Sequence, residues 1–166
     1  MDDKSFVTGI EFLIKEGIVN LTKNNTIKIT KDDTRNDTQE DTKKNICSGN
    51  ARCISGTITE IIDGDTIKVD GQSIRFSLAS APELDDGGGI SAKNFIEEIC
   101  PVGSTAIVDE DDEQTRGSYG RILGVIYCND VNLNEELLVS GHGRISSAYC
   151  SFSEFSNHDW ARKYGC

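Results

Sequence analysis

Three kinds of side chain in the second half of the chain could do chemistry. Carboxylates stand at Asp63, Asp65 and Glu83, arginines at Arg75 and Arg121, and tyrosines at Tyr119 and Tyr149. A carboxylate can take a proton from water or ligate a hard cation. An arginine holds phosphate through charge-assisted, often bidentate hydrogen bonds, and a tyrosine ring offers a stacking face. A module that only binds has no evident need for an acid and two arginines at these spacings. Each group also has a plain structural reading. Asp63 and Asp65 can be hairpin residues, the arginines strand ends or partners of the acidic run at 109–113, Glu83 a loop carboxylate after Pro82, and Tyr149 packing beside Cys150. The acidic run could itself hold a cation, but it reads as a solvated loop.

The cysteines point to a staple rather than a metal. Cys47, Cys53, Cys100, Cys128, Cys150 and Cys166 lack the paired spacing of structural zinc, and only His142 and His158 accompany them. An even count in a small chain implies at least two disulfides and an oxidising compartment, with Cys47–Cys53 the expected local pair. The alternative is six reduced thiols in a cytoplasmic protein. Met1 is followed by Asp2 and Asp3, so no signal peptide is read at this start. The expected location is nonetheless extracellular or at the cell surface.

The formal net charge of −11 arises wholly after residue 53, where 19 acidic side chains face 8 basic ones. Non-specific affinity for nucleic acid comes from basic groups displacing counterions. A nucleic-acid protein of this charge must place a few cations well or work through a bound ion.

These groups need elements to hold them. The chain has 166 residues with 36% hydrophobic content, enough for one ordinary domain plus an appendage, and no apolar run reaches the length of a membrane span. Residues 1–21 hold a short amphipathic helix with Phe6, Ile10, Leu13 and Ile14 on one face. Residues 22–46, rich in Thr, Lys, Asn and Asp, read as a flexible linker. Residues 47–166 form the expected domain. Strands are predicted at 57–62, 66–69 and 72–78, separated by the turn dipeptides Asp63-Gly64 and Asp70-Gly71. A helix follows, with Ala92, Phe95, Ile96 and Ile99 as its stripe and Pro101 just beyond it. Two more strands are predicted at 105–109 and 121–128, then a helix capped by Asn132, then an amphipathic segment at 153–164. The order describes an α+β fold: a five-stranded OB-type β-barrel with about three packed helices.

Five pieces fall in a familiar order: Ile62-Asp63-Gly64-Asp65-Thr66, Ile74-Arg75-Phe76, Ala81-Pro82-Glu83, Tyr119-Gly120-Arg121 and Asn134-Glu135-Glu136-Leu137-Leu138. Together they resemble the thermonuclease (staphylococcal nuclease-like) family over residues 56–150. The resemblance implies metal-assisted phosphodiester hydrolysis of DNA or RNA. It makes Asp65 a calcium ligand, with Ser80 and the Ala81 carbonyl at the other ligand positions. It makes Glu83 the general base, Arg75 and Arg121 the phosphate-holding arginines, Tyr119 a neighbour of the substrate phosphate and Tyr149 a stacking partner for a base. One departure stands out. Where the family carries a second aspartate ligand this chain has Ser80, a neutral hydroxyl, which should weaken calcium binding.

Two functions stay open on the sequence. The first is a secreted, monomeric nuclease using Ca2+. The second is a non-catalytic, disulfide-stabilised OB-type module that binds nucleic acid or protein and has a degraded metal site. Arg75, Glu83 and Arg121 favour the first; Ser80 and the net charge favour the second.

Overall fold

The computed structural model describes residues 46–166. The amphipathic segment at 1–21, and the linker as far as residue 45, lie outside the described residues.

Five strands close a barrel. They are β1 (Cys53–Asp63), β2 (Thr66–Val69), β3 (Gln72–Phe76), β5 (Thr105–Glu110) and β6 (Ile122–Cys128). The two turn dipeptides make the first three an antiparallel meander, and Asp70 and Gly71 both adopt positive φ between paired Val69 and Gln72. β1 is long enough to serve two neighbours. Its first half pairs with β5 and its second half, through two register shifts, with β2. β5 pairs with β6, and β6 lies parallel to β3 with Ile74 opposite Ile122. That parallel pair closes the circle. A two-residue ribbon, β4 (Ala79–Ser80) with β8 (Arg144–Ile145), sits beside it, and β7 (Val131–Asn132) extends β6.

Alternation along the strands sends Ile58, Ile67, Ile74 and Val108 into a core from which solvent is excluded, and β6 is covered on both faces, so that consecutive Val125 and Ile126 are both buried. Burying one such side chain contributes about 1.5–3 kcal/mol. Three helices cover the barrel among the described residues: α1 (Gly89–Ile99), α2 (Leu133–Val139) and α3 (Asp159–Tyr164). α1 buries Ala92 and Ile96, and α2 starts on Asn132, whose side chain accepts from the N–H groups of Asn134 and Glu135. The fully buried Asn134 binds three main-chain positions. Its amide donates to Ser77 O at 2.8 Å and Gly124 O at 3.2 Å, and its Oδ1 accepts from Ile126 N at 3.1 Å. None of these helices is long and apolar enough to cross a membrane.

Three disulfides staple the domain: Cys47–Cys53, Cys100–Cys128 and Cys150–Cys166. The first is the expected local pair. The second joins the end of α1 to the end of β6, inside the core.

Several expectations need correction. The third strand ends at Phe76, because Ser77 turns to donate its N–H to Gly124 O and Leu78 takes φ 61°. The segment at 153–164 is not one helix. A 3₁₀ turn (Glu154–Asn157) gives way at an extended His158 to α3. The acidic run at 109–113 is largely buried rather than a solvated loop. Asp109, Glu110 and Asp111 are almost wholly enclosed. The segment after Cys47 folds over them: Ser48 N–H donates to Asp109, Asn50 N–H to Asp112, and Arg52 pairs with Glu110 at 2.6 Å. Burial pushes the Asp109 carboxyl up, whereas the Arg52 hydrogen bond holds Glu110 below the usual range.

Candidate active site

The site begins at the β1–β2 turn. Asp65 N–H donates to Asp63 Oδ1 at 3.0 Å, a local turn that aims the Asp65 side chain inward, where it is 1% exposed. Its carboxylate is fully engaged. Oδ2 accepts the Ala81 N–H at 2.6 Å, and Oδ1 accepts the Thr66 hydroxyl at 3.1 Å and pairs with Arg75 Nη1. Burial pushes the Asp65 pKa up to about 6, against the downward pull of Arg75 and of the Ala81 amide.

Arg75 occupies the strand position between Ile74 and Phe76, whose side chains go to the core, so its own points outward. Its Nη2 donates to Ser80 Oγ at 3.2 Å. Arg75 also lines a cleft of about 550 Å³. Arg121, immediately before β6, lines the same cleft. The parallel register that sets Arg75 opposite Leu123 brings the two arginines to one seam.

Tyr119 lies in a 3₁₀ turn (Ser118–Gly120) with φ 63°, a left-handed conformation unusual for a bulky residue. Its ring is 97% exposed, with the Arg121 guanidinium carbon 5.6 Å from the ring centroid. Tyr149, 55% exposed, borders the cleft from another 3₁₀ turn (Ser147–Phe152) that Cys150–Cys166 ties to the end of α3. Glu83 enters the same cleft from the loop before α1 and is exposed to solvent. Its main chain rests on Gly89: a Cβ at 89 would sit 2.0 Å from the Glu83 carbonyl oxygen.

Five residues marked from the sequence therefore share one cleft: Arg75, Glu83, Tyr119, Arg121 and Tyr149. Asp65, Ser80 and Ala81 form a second group around the Arg75 guanidinium and do not line the cleft. The other lining residues were not marked from the sequence, and among them Gln114 and Arg116 carry long polar side chains. Arg116 is the sole basic side chain between Lys93 and Arg121, a signal that was present but carried no motif. Three of the eight basic side chains after residue 53 thus face one cleft. A concentrated positive patch can draw a polyanion to an otherwise acidic surface.

Calcium takes six to eight oxygen ligands, several of them charged. The donor set here falls short of that. Both Asp65 oxygens already receive hydrogen-bond donors, Ser80 is neutral and its Oγ receives Arg75, and no group of three or more His, Cys, Asp or Glu side chains among the described residues is placed to hold a metal. The residues as arranged do not fit a resident calcium ion.

Residues 73–160 match the family described as Staphylococcal nuclease homologue. Endonuclease YncB of Bacillus subtilis is 29% identical over 108 residues, covering 59% of this chain and 51% of that protein. A probable staphylococcal-like nuclease, CAN3, of Oryza sativa is 31% identical over 90 residues, covering 54% of this chain and 22% of its own length. The uncharacterized protein MJ1439 of Methanocaldococcus jannaschii is 27% identical over 120 residues, covering 54% and 58%. The chain thus spans little more than half of these curated relatives, or less. The closed five-stranded barrel, the paired arginines at its parallel seam and the match over residues 73–160 agree: the chain belongs to the staphylococcal nuclease homologue family.

Proposed function

We propose that this chain hydrolyses phosphodiester bonds of DNA or RNA. One observation carries the reading: a carboxylate, Glu83, and two arginines, Arg75 and Arg121, face the same cleft. In-line attack on a phosphodiester needs a base for the water proton and positive charge around the phosphoryl oxygens. Glu83 takes the proton as water attacks phosphorus and the bond to the leaving oxygen breaks. Arg75 and Arg121 hold the non-bridging oxygens, through contacts that tighten as charge builds in the transition state. Tyr119 backs Arg121, and Tyr149 offers its exposed face to a neighbouring base. The mechanism relies on the chain's own cations, because Asp65 and Ser80 are committed to Arg75. Three disulfides support a setting outside the cytoplasm.

Cleavage of labelled single-stranded DNA and RNA tests the proposal. Glu83→Gln and Arg121→Ala are each expected to lower turnover at least ~100-fold. Both should stay folded, since neither side chain belongs to the buried core. Wild-type rates in both folded variants would overturn the mechanism. Binding without cleavage in the wild type would make the domain a nucleic-acid-binding module instead.

A further inference from the structure

We propose that Arg75 supplies, within the chain, the positive charge that the family pattern assigns to calcium, so that this cleft binds phosphodiesters without a divalent ion. The inference rests on the phosphodiester reading of the cleft and concerns how its charge is provided. A guanidinium carries five N–H donors in a fixed plane. Two of its contacts face backward here, Nη1 to Asp65 and Nη2 to Ser80 Oγ, while the same side chain borders the cleft. Nη1 also reaches Thr66 Oγ1 at 3.5 Å, and the donors not engaged by these three residues are the ones a phosphate in the cleft would take. Asp65 is then a positioning residue: it fixes Arg75 and neutralises it only in part as seen from the substrate.

The charge balance explains why Ser80 fits this arrangement. Asp65 offsets part of the Arg75 charge at contact distance, and the Asp63 carboxylate stands near enough to act on Asp65 as well. A divalent ion entering at Asp65 would meet Arg75 at contact distance and would have to displace donors from both carboxylate oxygens. An aspartate at 80 would add a further negative charge and a second set of lone pairs beside Arg75, which favours calcium. Arg75 therefore works with a serine at 80 and is in conflict with a metal there.

Two binding measurements on the full chain decide the matter without relying on turnover. The first is calorimetric titration of calcium chloride into the wild type and into Ser80→Asp. The wild type should give no saturable heat, and Ser80→Asp should give some. The second is the affinity of a fluorescent single-stranded oligonucleotide for the Glu83→Gln protein, in excess EDTA and in excess calcium. Affinity should agree within about twofold between the two, and adding Asp65→Asn should weaken it about tenfold in EDTA, the scale of one charge-assisted contact. Saturable calcium binding by the wild type, together with oligonucleotide binding at least about tenfold tighter in calcium, overturns the inference. Absence of cleavage would count against the nuclease reading, whereas these titrations report on the source of charge alone.

Discussion

The main-chain N–H of Ala81 donates to Asp65 Oδ2 at 2.6 Å, and this single bond ties the β1–β2 turn to the segment that carries Glu83. Asp65 is thereby held from two sides, by a backbone dipole and by Arg75, in a place water does not reach. The two groups that grip it also belong to the segments that shape the cleft, so its protonation bears on both stability and substrate binding.

The first prediction follows from the raised pKa of Asp65, about 6 in the folded protein. The unfolded chain has an ordinary aspartate there, so between about pH 4 and 6 the folded state holds more protons than the unfolded one. A raised folded pKa gives stability that is fully present at low pH and lost as pH rises through that window, by about 3 kcal/mol at most. Other carboxylates, such as Glu110, shift the opposite way. The measurement is therefore a difference: unfolding free energy of wild type minus Asp65→Asn, which should fall from pH 4 to pH 7. A flat difference would show that Arg75 compensates the buried charge in full.

Gly89→Ala pits two effects against each other. Helix propensity favours alanine by about 1 kcal/mol. The new Cβ, however, would lie 2.0 Å from the Glu83 carbonyl oxygen, so the loop must move. Steric displacement should win. Cleavage is expected to drop up to ~100-fold, the scale of a 1 Å misplacement, while Gly87→Ala, with open space around it, should leave activity unchanged. Normal cleavage by Gly89→Ala would show that Glu83 tolerates the shift and is not a precisely held base.

Arg116 borders the cleft and makes no ion pair within 4 Å among the described residues. Arg116→Ala should raise KM for an oligonucleotide without changing kcat, and lower the slope of log affinity against log salt by roughly 0.7. A drop in kcat at constant KM would place Arg116 on the reacting phosphate rather than a flanking one.

Cys150–Cys166 closes a loop with a sequence separation of 16. Replacing both by serine should cost about 3 kcal/mol by the chain-entropy estimate. Because Tyr149 precedes the bridge, KM for oligonucleotides should rise as well. A lower melting temperature with unchanged KM would mean that Tyr149 is positioned by other contacts.

Much of this was legible because local chemistry and tertiary structure agree. β2 falls where Asp63-Gly64 and Asp70-Gly71 bracket it, and Asn132 caps α2 as its sequence context implies. The five cleft residues were legible through motifs. The acidic run was misread because its burial depends on N–H groups supplied by residues 48–51, far away in sequence. β4 and β8 escaped notice because two-residue strands carry no periodicity. The Asp65–Arg75–Ser80 cluster was readable only as three separate residues. Its charge balance needs the geometry that brings them together.

The parallel seam between β3 and β6 has a kinetic side. Each hairpin of the meander can form and melt locally, but a parallel pair joins segments that meet only after a long crossover. Such contacts repay their loop-closure cost late and cooperatively. A chain with its meander formed and this seam open carries Arg75 with no Arg121 beside it. The cleft therefore exists only in molecules whose barrel has closed, and a partly folded population should lose activity in step with global unfolding rather than with the melting of any one hairpin.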